Sequence, residues 1–141
     1  MKTPLIRLFG ALLICLASAA LQADVVAVVS TKSSVITLSK SQVADIFLGK
    51  IGRYPNGTQA VPIDQEEGST ARTEFYTRYT SKSPAQMKAH WSKIIFTGRG
   101  KPPPSVANSI EARKLIAADS RAISYIDRSA VDSSVRVLTE P

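Results

Sequence analysis

The chain has 141 residues, a length that fits one domain and is too short for two ordinary ones. It carries 18 Lys and Arg against 11 Asp and Glu, a formal net charge of +7 at pH 7. The basic residues are scattered from Lys32 to Arg136 without interleaved aromatic residues, so the charge favours small anions or an anionic membrane surface over nucleic acid.

The N-terminal residues have the order of a secretory signal peptide. Two basic residues precede an apolar run over residues 8–16, broken by one glycine, and small residues follow. We expect residues 1–23 to be a signal peptide removed after Ala23, with cleavage after Ala19 or Ala20 as alternatives. The run is too short for a comfortable transmembrane span, so no stable membrane insertion is expected after cleavage.

The single cysteine, Cys15, lies in this apolar run. It does not fit a lipoprotein signal, because Ile14 before it is not a small residue. Cleavage after Ala23 would leave no disulfide, thiol nucleophile or thiolate metal ligand. Losing Lys2 and Arg7 leaves 16 basic residues against 11 acidic ones, a net charge of about +5.

The first half of the remaining chain predicts two strands and a helix. The β-branched run Val25–Val29 is typical of a strand buried on both faces. A capping box of Ser39 and Gln42 begins a short helix that ends at Gly49 and presents Val43, Ile46 and Phe47. The turn at residues 54–57 leads to a second strand over residues 60–63.

The second half predicts three helices and two strands. A helix beginning near Ser69 has Phe75, Tyr76 and Tyr79 on its inner face, and Ser83 caps the next helix, with Pro84 at its first position. That helix carries an apolar stripe of Met87, His90, Trp91, Ile94 and Ile95. A proline-rich loop, a helix over residues 107–118, and strands over residues 122–126 and 135–138 follow.

Strands that alternate with helices predict a single α/β domain over residues 24–141, with a small, mixed or mostly parallel sheet flanked by helices.

The segment Gly68–Arg72 is the candidate ligand site. It lies at a strand-to-helix junction, where backbone N–H groups are free to bind an anion, and it contains the hydroxyls of Ser69 and Thr70. Arg72 in the first helical turn would add a full positive charge. Each residue also has an ordinary explanation, because Ser69 is a typical helix N-cap and Arg72 a typical solvated first-turn residue.

The other polar residues favour neither a metal site nor an enzyme. Asp64, Glu66 and Glu67 match no standard calcium loop, so a solvated loop is the preferred interpretation. His90, the only histidine, lies on an apolar stripe and is expected to be a core or rim residue with one hydrogen bond. No nucleophile and base are paired in the sequence, so an enzyme is the least favoured class and no cofactor is expected.

Several segments together resemble a known family. Leu38–Gly52, with Ile46-Phe47-Leu48-Gly49-Lys50-Ile51 at its centre, is similar to a segment of the periplasmic phosphate-binding proteins of ABC importers. Further matches follow in the family's order: the turn at 54–57, Gly68-Ser69 with Phe75, Trp91, the glycines of 98–100 and the strand at 122–126. The resemblance covers nearly the whole chain after residue 23, but only about one lobe of a two-lobed binding protein.

This resemblance implies a single lobe of a periplasmic binding protein type 2 fold, in a small single-domain group of ABC transporter substrate-binding proteins. In register, the family's anion-binding arginine falls on Gln65 and its aspartate on Glu67. The usual bidentate guanidinium grip is therefore missing, and Arg72 is the expected substitute. Glu66 and Glu67 would repel a phosphate dianion at close range.

The resemblance implies a periplasmic domain that binds phosphate or a related oxyanion for an ABC importer, through Gly68, Ser69, Thr70, Ala71 and Arg72. One alternative is a periplasmic protein-interaction module that keeps the fold and has lost high-affinity phosphate binding. It would contact a permease or another periplasmic protein through the face around Tyr76 and Tyr79 or through the Arg99/Lys101 loop. Another alternative is a dimer that rebuilds a two-walled cleft.

Overall fold

The computed structural model describes residues 24–140, so the predicted signal peptide and Cys15 lie outside the described residues. The strands are β1 Val25–Ser30, β2 Val61–Pro62, β3 Asp64–Gln65, β4 Ser105–Val106, β5 Ala122–Asp127 and β6 Val135–Val137. The helices are α1 Lys40–Phe47, α2 Thr70–Thr80, α3 Pro84–Phe96 and α4 Ser109–Ala118, and a 3₁₀ turn covers Arg128–Ala130.

Four strands form one mixed sheet in the order β2-β5-β1-β6. The central strand β1 is antiparallel to both β5 and β6, whereas β2 is parallel to β5. A second, two-stranded parallel sheet joins β3 to β4. The predicted α/β class with a mixed sheet is confirmed. The strand predicted over residues 60–63 is shorter in the structure, where β2 covers only Val61–Pro62 and pairs with β5. The next strand, β3, pairs with β4 instead.

The sheet separates two apolar cores, because alternate residues of a strand point to opposite faces. Val25, Ala27 and Val29 pack in the larger core, which contains residues of α1, α2 and α3. Val26 and Val28 pack in the smaller core beneath α4. All six residues of β1 are buried, which confirms that this strand is covered on both faces.

Helix starts are determined by local capping. The Ser39 Oγ accepts a hydrogen bond from the Gln42 N–H at 3.2 Å, and the Gln42 Oε1 accepts from the Ser39 N–H at 2.9 Å. Ser83 caps α3 in the same way, with Pro84 at the first helical position as predicted. α4 begins at Ser109 rather than at residue 107, because the Asn108 side chain caps the Glu111 N–H.

The predicted apolar stripe of α3 is only partly buried. Met87 and Trp91 are buried, whereas His90 and Ile94 are half-buried. Ile95, expected on the same inner face, is 55% exposed because the last turn of α3 is open to solvent. Within residues 24–140, no helix is both long and apolar enough to cross a membrane.

Candidate functional site

The start of α2 combines a glycine turn, a serine cap and two backbone donors that are unpaired in the described part of the chain. Gly68 adopts a φ of +86°, a left-handed conformation that favours glycine, and turns the chain into the helix. The Ser69 Oγ then accepts a hydrogen bond from the Arg72 N–H at 3.1 Å. The backbone N–H groups of Thr70 and Ala71 have no acceptor among residues 24–140. These two donors are therefore free for a ligand.

Arg72 is already paired inside the protein. Its Nη1 lies 3.1 Å from the Asp64 Oδ2 and donates a hydrogen bond to the Gln65 carbonyl at 2.9 Å. The guanidinium also lies 5.2 Å from the centre of the Tyr76 ring. With only 16% of its side chain exposed, Arg72 is not a solvated first-turn residue. Its positive charge faces a buried carboxylate.

Asp64 is the centre of a buried polar network, which corrects the prediction that it lies in a solvated loop. It is 2% exposed and accepts hydrogen bonds from the hydroxyls of Tyr76, at 2.5 Å, and of Tyr125. Burial, and then the adjacent carboxylate, raise the pKa of both tyrosine hydroxyls far above the usual value. Glu66 and Glu67 are exposed, as expected.

Gln65 joins the starts of two helices. Its side-chain amide donates to the Ser109 Oγ at 3.2 Å and to the Tyr125 carbonyl at 3.0 Å. Its Oε1 accepts from the Ser69 Oγ at 3.3 Å. Because Gln65 is 2% exposed, these bonds hold the N-terminus of α2 beside that of α4.

The two helix N-termini line one open cleft of about 520 Å³. The residues that α2 and its cap contribute are Ser69, Thr70 and Ala71, and those from the start of α4 are Asn108 and Ser109. The positive ends of two helix dipoles therefore meet at one place, which favours an anion there.

Charged side chains border the same cleft. Arg128 follows β5 and lines the cleft with Asp24, whose Oδ2 lies 2.6 Å from the Arg128 Nε. The hydrogen bond from Arg128 lowers the pKa of Asp24. A second carboxylate, Asp127, accepts a hydrogen bond from the Ser109 Oγ at 3.1 Å. One guanidinium and two carboxylates thus surround the dipole ends, each carboxylate with a partner of its own.

The sequence analysis missed the contribution of α4 and Arg128. A local signal was present, because Asn108 followed three residues later by Glu111 is typical of a helix start. No local pattern indicates that this start lies next to Ser69, since the two are brought together by β3 pairing with β4.

Other candidate residues lie elsewhere. His90 is half-buried with its Nε2 2.9 Å from the Leu48 carbonyl, which confirms a rim histidine with one hydrogen bond. Tyr76 is 2% exposed, so the predicted contact face around Tyr76 and Tyr79 is wrong for Tyr76. Arg99 and Lys101 are exposed. No group of three His, Cys, Asp or Glu within residues 24–140 is placed to hold a metal ion.

Comparison with solved structures identifies the fold. The chain is similar to an ABC-type phosphate transport receptor from Vibrio cholerae, with 17% identity, a TM-score of 0.65, and coverage of 83% of this chain and 46% of that one. It is also similar to a structure from Clostridium perfringens described as a phosphate ABC transporter substrate-binding protein with bound phosphate, at 23% identity and a TM-score of 0.64. That match covers 83% of this chain and 44% of the other. The likeness shows the fold.

A third similar structure is PstS from Borrelia burgdorferi, with 11% identity, a TM-score of 0.60, and coverage of 83% of this chain and 47% of that one. The chain thus spans less than half the length of these structures. No protein-family model and no curated protein matches the sequence. The resemblance seen in the sequence is confirmed as a likeness to phosphate ABC transporter substrate-binding proteins in fold.

Proposed function

We propose that the protein is an exported, non-enzymatic binding protein that takes up a small oxyanion, phosphate or a chemical relative, in the cleft between α2 and α4. The observation that carries this proposal is the convergence of two capped helix N-termini on one cleft. Free N–H groups at Thr70 and Ala71 point to an anionic ligand. Of the predicted segment Gly68–Arg72, only Ser69, Thr70 and Ala71 line this cleft, and Ser109 and Arg128 join them there.

Within this proposal Arg72 is a positioning residue. Its guanidinium holds the Gln65 carbonyl and the Asp64 carboxylate, and so fixes the turn that precedes Ser69. The cation that would contact the ligand is Arg128, whose side chain is 60% exposed and would exchange its pairing with Asp24 for the ligand. The fold likeness supports an importer as the partner, because the similar structures carry that description.

Calorimetric titration with inorganic phosphate, sulfate and acetate at low salt tests the proposal. The sample is the protein expressed from its full coding sequence in an exporting host, with its N-terminus determined by mass spectrometry and expected at Asp24. At least one of the three anions should bind. No heat from any of them would overturn the proposal.

Two substitutions at the cleft have opposite expected effects. Arg128→Gln should weaken binding about tenfold, the low end of the contribution of a charged hydrogen bond, because the side chain is largely exposed. Asp24→Asn should tighten binding severalfold, since it removes a like charge and frees Arg128. Arg121→Gln is the matched control, because Arg121 forms a similar exposed pair with Asp119 before β5 begins. Equal effects of Arg128→Gln and Arg121→Gln would argue against the cleft.

A further inference from the structure

The end of α3 and the loop after it, residues 93–101, form an exposed basic and apolar surface that the proposed binding cleft does not use. Phe96 is 92% exposed, the highest exposure among the large apolar residues described, and Ile95 is 55% exposed. We call residues 93–101 the α3 tip. Two adjacent, largely exposed apolar side chains form a small contiguous patch, the kind of surface feature that marks an interaction site.

The chain segment that contains the α3 tip carries charge of one sign. Between Glu74 and Glu111 the chain has no acidic residue, and its basic residues there are Arg78, Lys82, Lys88, Lys93, Arg99 and Lys101. On the exposed face of α3, Lys88, Ser92 and Phe96 follow at a spacing of four residues, and Lys93 lies beside Phe96. Phe96 therefore has Lys93 one turn before it, and Lys88 lies about two turns before it on the same exposed face of the helix.

A depression of about 310 Å³ lies next to the tip and is lined by Lys50, Lys93, Arg99 and the half-buried His90. Arg99 is held there, because its backbone N–H donates to the Ile94 carbonyl at 3.1 Å. Two carboxylates are near: Asp45 lies 3.8 Å from the Lys50 Nζ, and Glu67 lines the cleft that Lys88 and Ile95 share. The three cations of the tip itself, Lys93, Arg99 and Lys101, have no carboxylate within 4.0 Å among residues 24–140.

We propose that the α3 tip docks on the anionic phospholipid surface of a membrane, with Phe96 and Ile95 in the headgroup region and Lys93, Arg99 and Lys101 against lipid phosphates. Basic side chains around an exposed aromatic residue are the composition of interfacial membrane-binding segments. A protein partner would need a pocket for Phe96, whereas a headgroup layer accepts a convex helix end without one. The projecting Phe96 therefore favours a lipid surface over a protein, and the basic residues beside it favour an anionic lipid.

Vesicle co-sedimentation tests the proposal. The protein, expressed from its full coding sequence, should bind vesicles of phosphatidylglycerol and phosphatidylcholine and not vesicles of phosphatidylcholine alone. Binding should weaken as NaCl is raised. Lys93→Gln/Arg99→Gln should lower the partition coefficient roughly 25-fold, because each basic residue near an anionic surface contributes about a fivefold factor.

The matched control is Lys32→Gln/Lys114→Gln, which removes the same charge from exposed positions away from the tip. All variants share one N-terminus, so its contribution cancels. Equal loss in the two double variants would overturn the proposal, since net charge alone would then explain binding. An absence of binding to the anionic vesicles would overturn it as well.

Insertion of the apolar residues has its own measurement. Phe96→Trp should show a blue-shifted emission on anionic vesicles beyond any change from Trp91, the only native tryptophan. Phe96→Ser should reduce binding severalfold while leaving the unfolding curve unchanged, because the side chain is exposed. A Phe96→Trp spectrum that does not respond to vesicles would overturn the docking geometry.

Discussion

At the scale of single residues, the feature that shapes the site is the buried carboxylate of Asp64. A charge that is 2% exposed needs compensation, and it receives it from Arg72 and from two tyrosine hydroxyls. The same contacts explain why Arg72 does not reach freely into solvent. Arg72, expected from the sequence to bind a ligand, instead holds the turn that precedes the free amides of Thr70 and Ala71.

We expect Arg72→Gln to lower the free energy of unfolding by about 3 kcal/mol, because it leaves a buried carboxylate without its cation. Asp64→Asn should cost a similar amount, and the double variant should cost less than the sum by about 1–3 kcal/mol. Urea unfolding followed by Trp91 fluorescence measures this coupling. The Glu74/Arg78 pair, whose side chains are 18% and 42% exposed, serves as control and should couple by less than about 1 kcal/mol. Equal coupling in both pairs would contradict the role of the buried network.

At the scale of elements, side-chain caps begin the four helices, and the turn that ends α1 packs against α3. After α1, Gly49 has a φ of +73°, and a Cβ there would lie 3.0 Å from the Trp91 Cη2. Because Gly49 has no side chain, the end of α1 lies close against Trp91 of α3. This contact holds α3 against the core, while its last turn extends to the exposed α3 tip.

Gly49→Ala should therefore destabilise the protein more than Gly57→Ala. Both positions have a positive φ, so both substitutions should cost about 1–2 kcal/mol in backbone strain. Only position 49 adds a contact with Trp91, because nothing lies within 4 Å of a Cβ at position 57. Thermal unfolding gives the difference, and the emission of Trp91 should change in Gly49→Ala alone. Equal losses would show that α3 yields to the added methyl group.

At the scale of the whole molecule, one sheet separates two apolar cores. The larger core contains Tyr76 and Tyr125, whose hydroxyls bond Asp64 and so join this core to the polar network. Tyr125 in β5 packs against Phe75 in α2 with ring centres 4.0 Å apart, and its hydroxyl reaches Asp64. The hydroxyl of Tyr54 donates to the Arg121 carbonyl at 2.7 Å. These buried phenols connect the loops, α2 and the sheet, so the global stability depends on their staying protonated.

The stability of the molecule should consequently fall in alkaline solution. Burial raises the pKa of Tyr54, Tyr76 and Tyr125 above the value of about 10 that they have when unfolded. Above pH 10 the unfolded chain loses protons that the folded protein keeps, so each tyrosine lowers the unfolding free energy by up to about 1.4 kcal/mol per pH unit. Their contribution is fully present below pH 10. Urea unfolding from pH 8 to 11.5 measures the slope.

Tyr76→Phe provides the control for that slope. It should reduce the alkaline slope by the share of one tyrosine, although the variant is less stable at neutral pH because Asp64 loses a hydrogen bond. An unchanged slope would mean that Tyr76 ionises equally in both states.

The sequence by itself determined the elements whose causes are local. A cap such as Ser39 with Gln42, or Ser83 with Pro84, acts within four residues. The β-branched run of β1 predicts a strand buried on both faces from its composition alone. The ordered motifs that resemble phosphate-binding proteins likewise indicated the fold before the structure did.

Only the tertiary structure decided which of these elements share a site. Ser69 and Ser109 lie on one cleft because Gln65 bonds both, and Arg72 faces Asp64 because the turn at residues 66–69 brings the start of α2 back against β3. Such pairings depend on strand order and on contacts distant in sequence, which no local pattern encodes. The sequence therefore predicted a candidate site at the start of α2, whereas the contribution of α4 to that site and the pairing of Arg72 with Asp64 followed from packing.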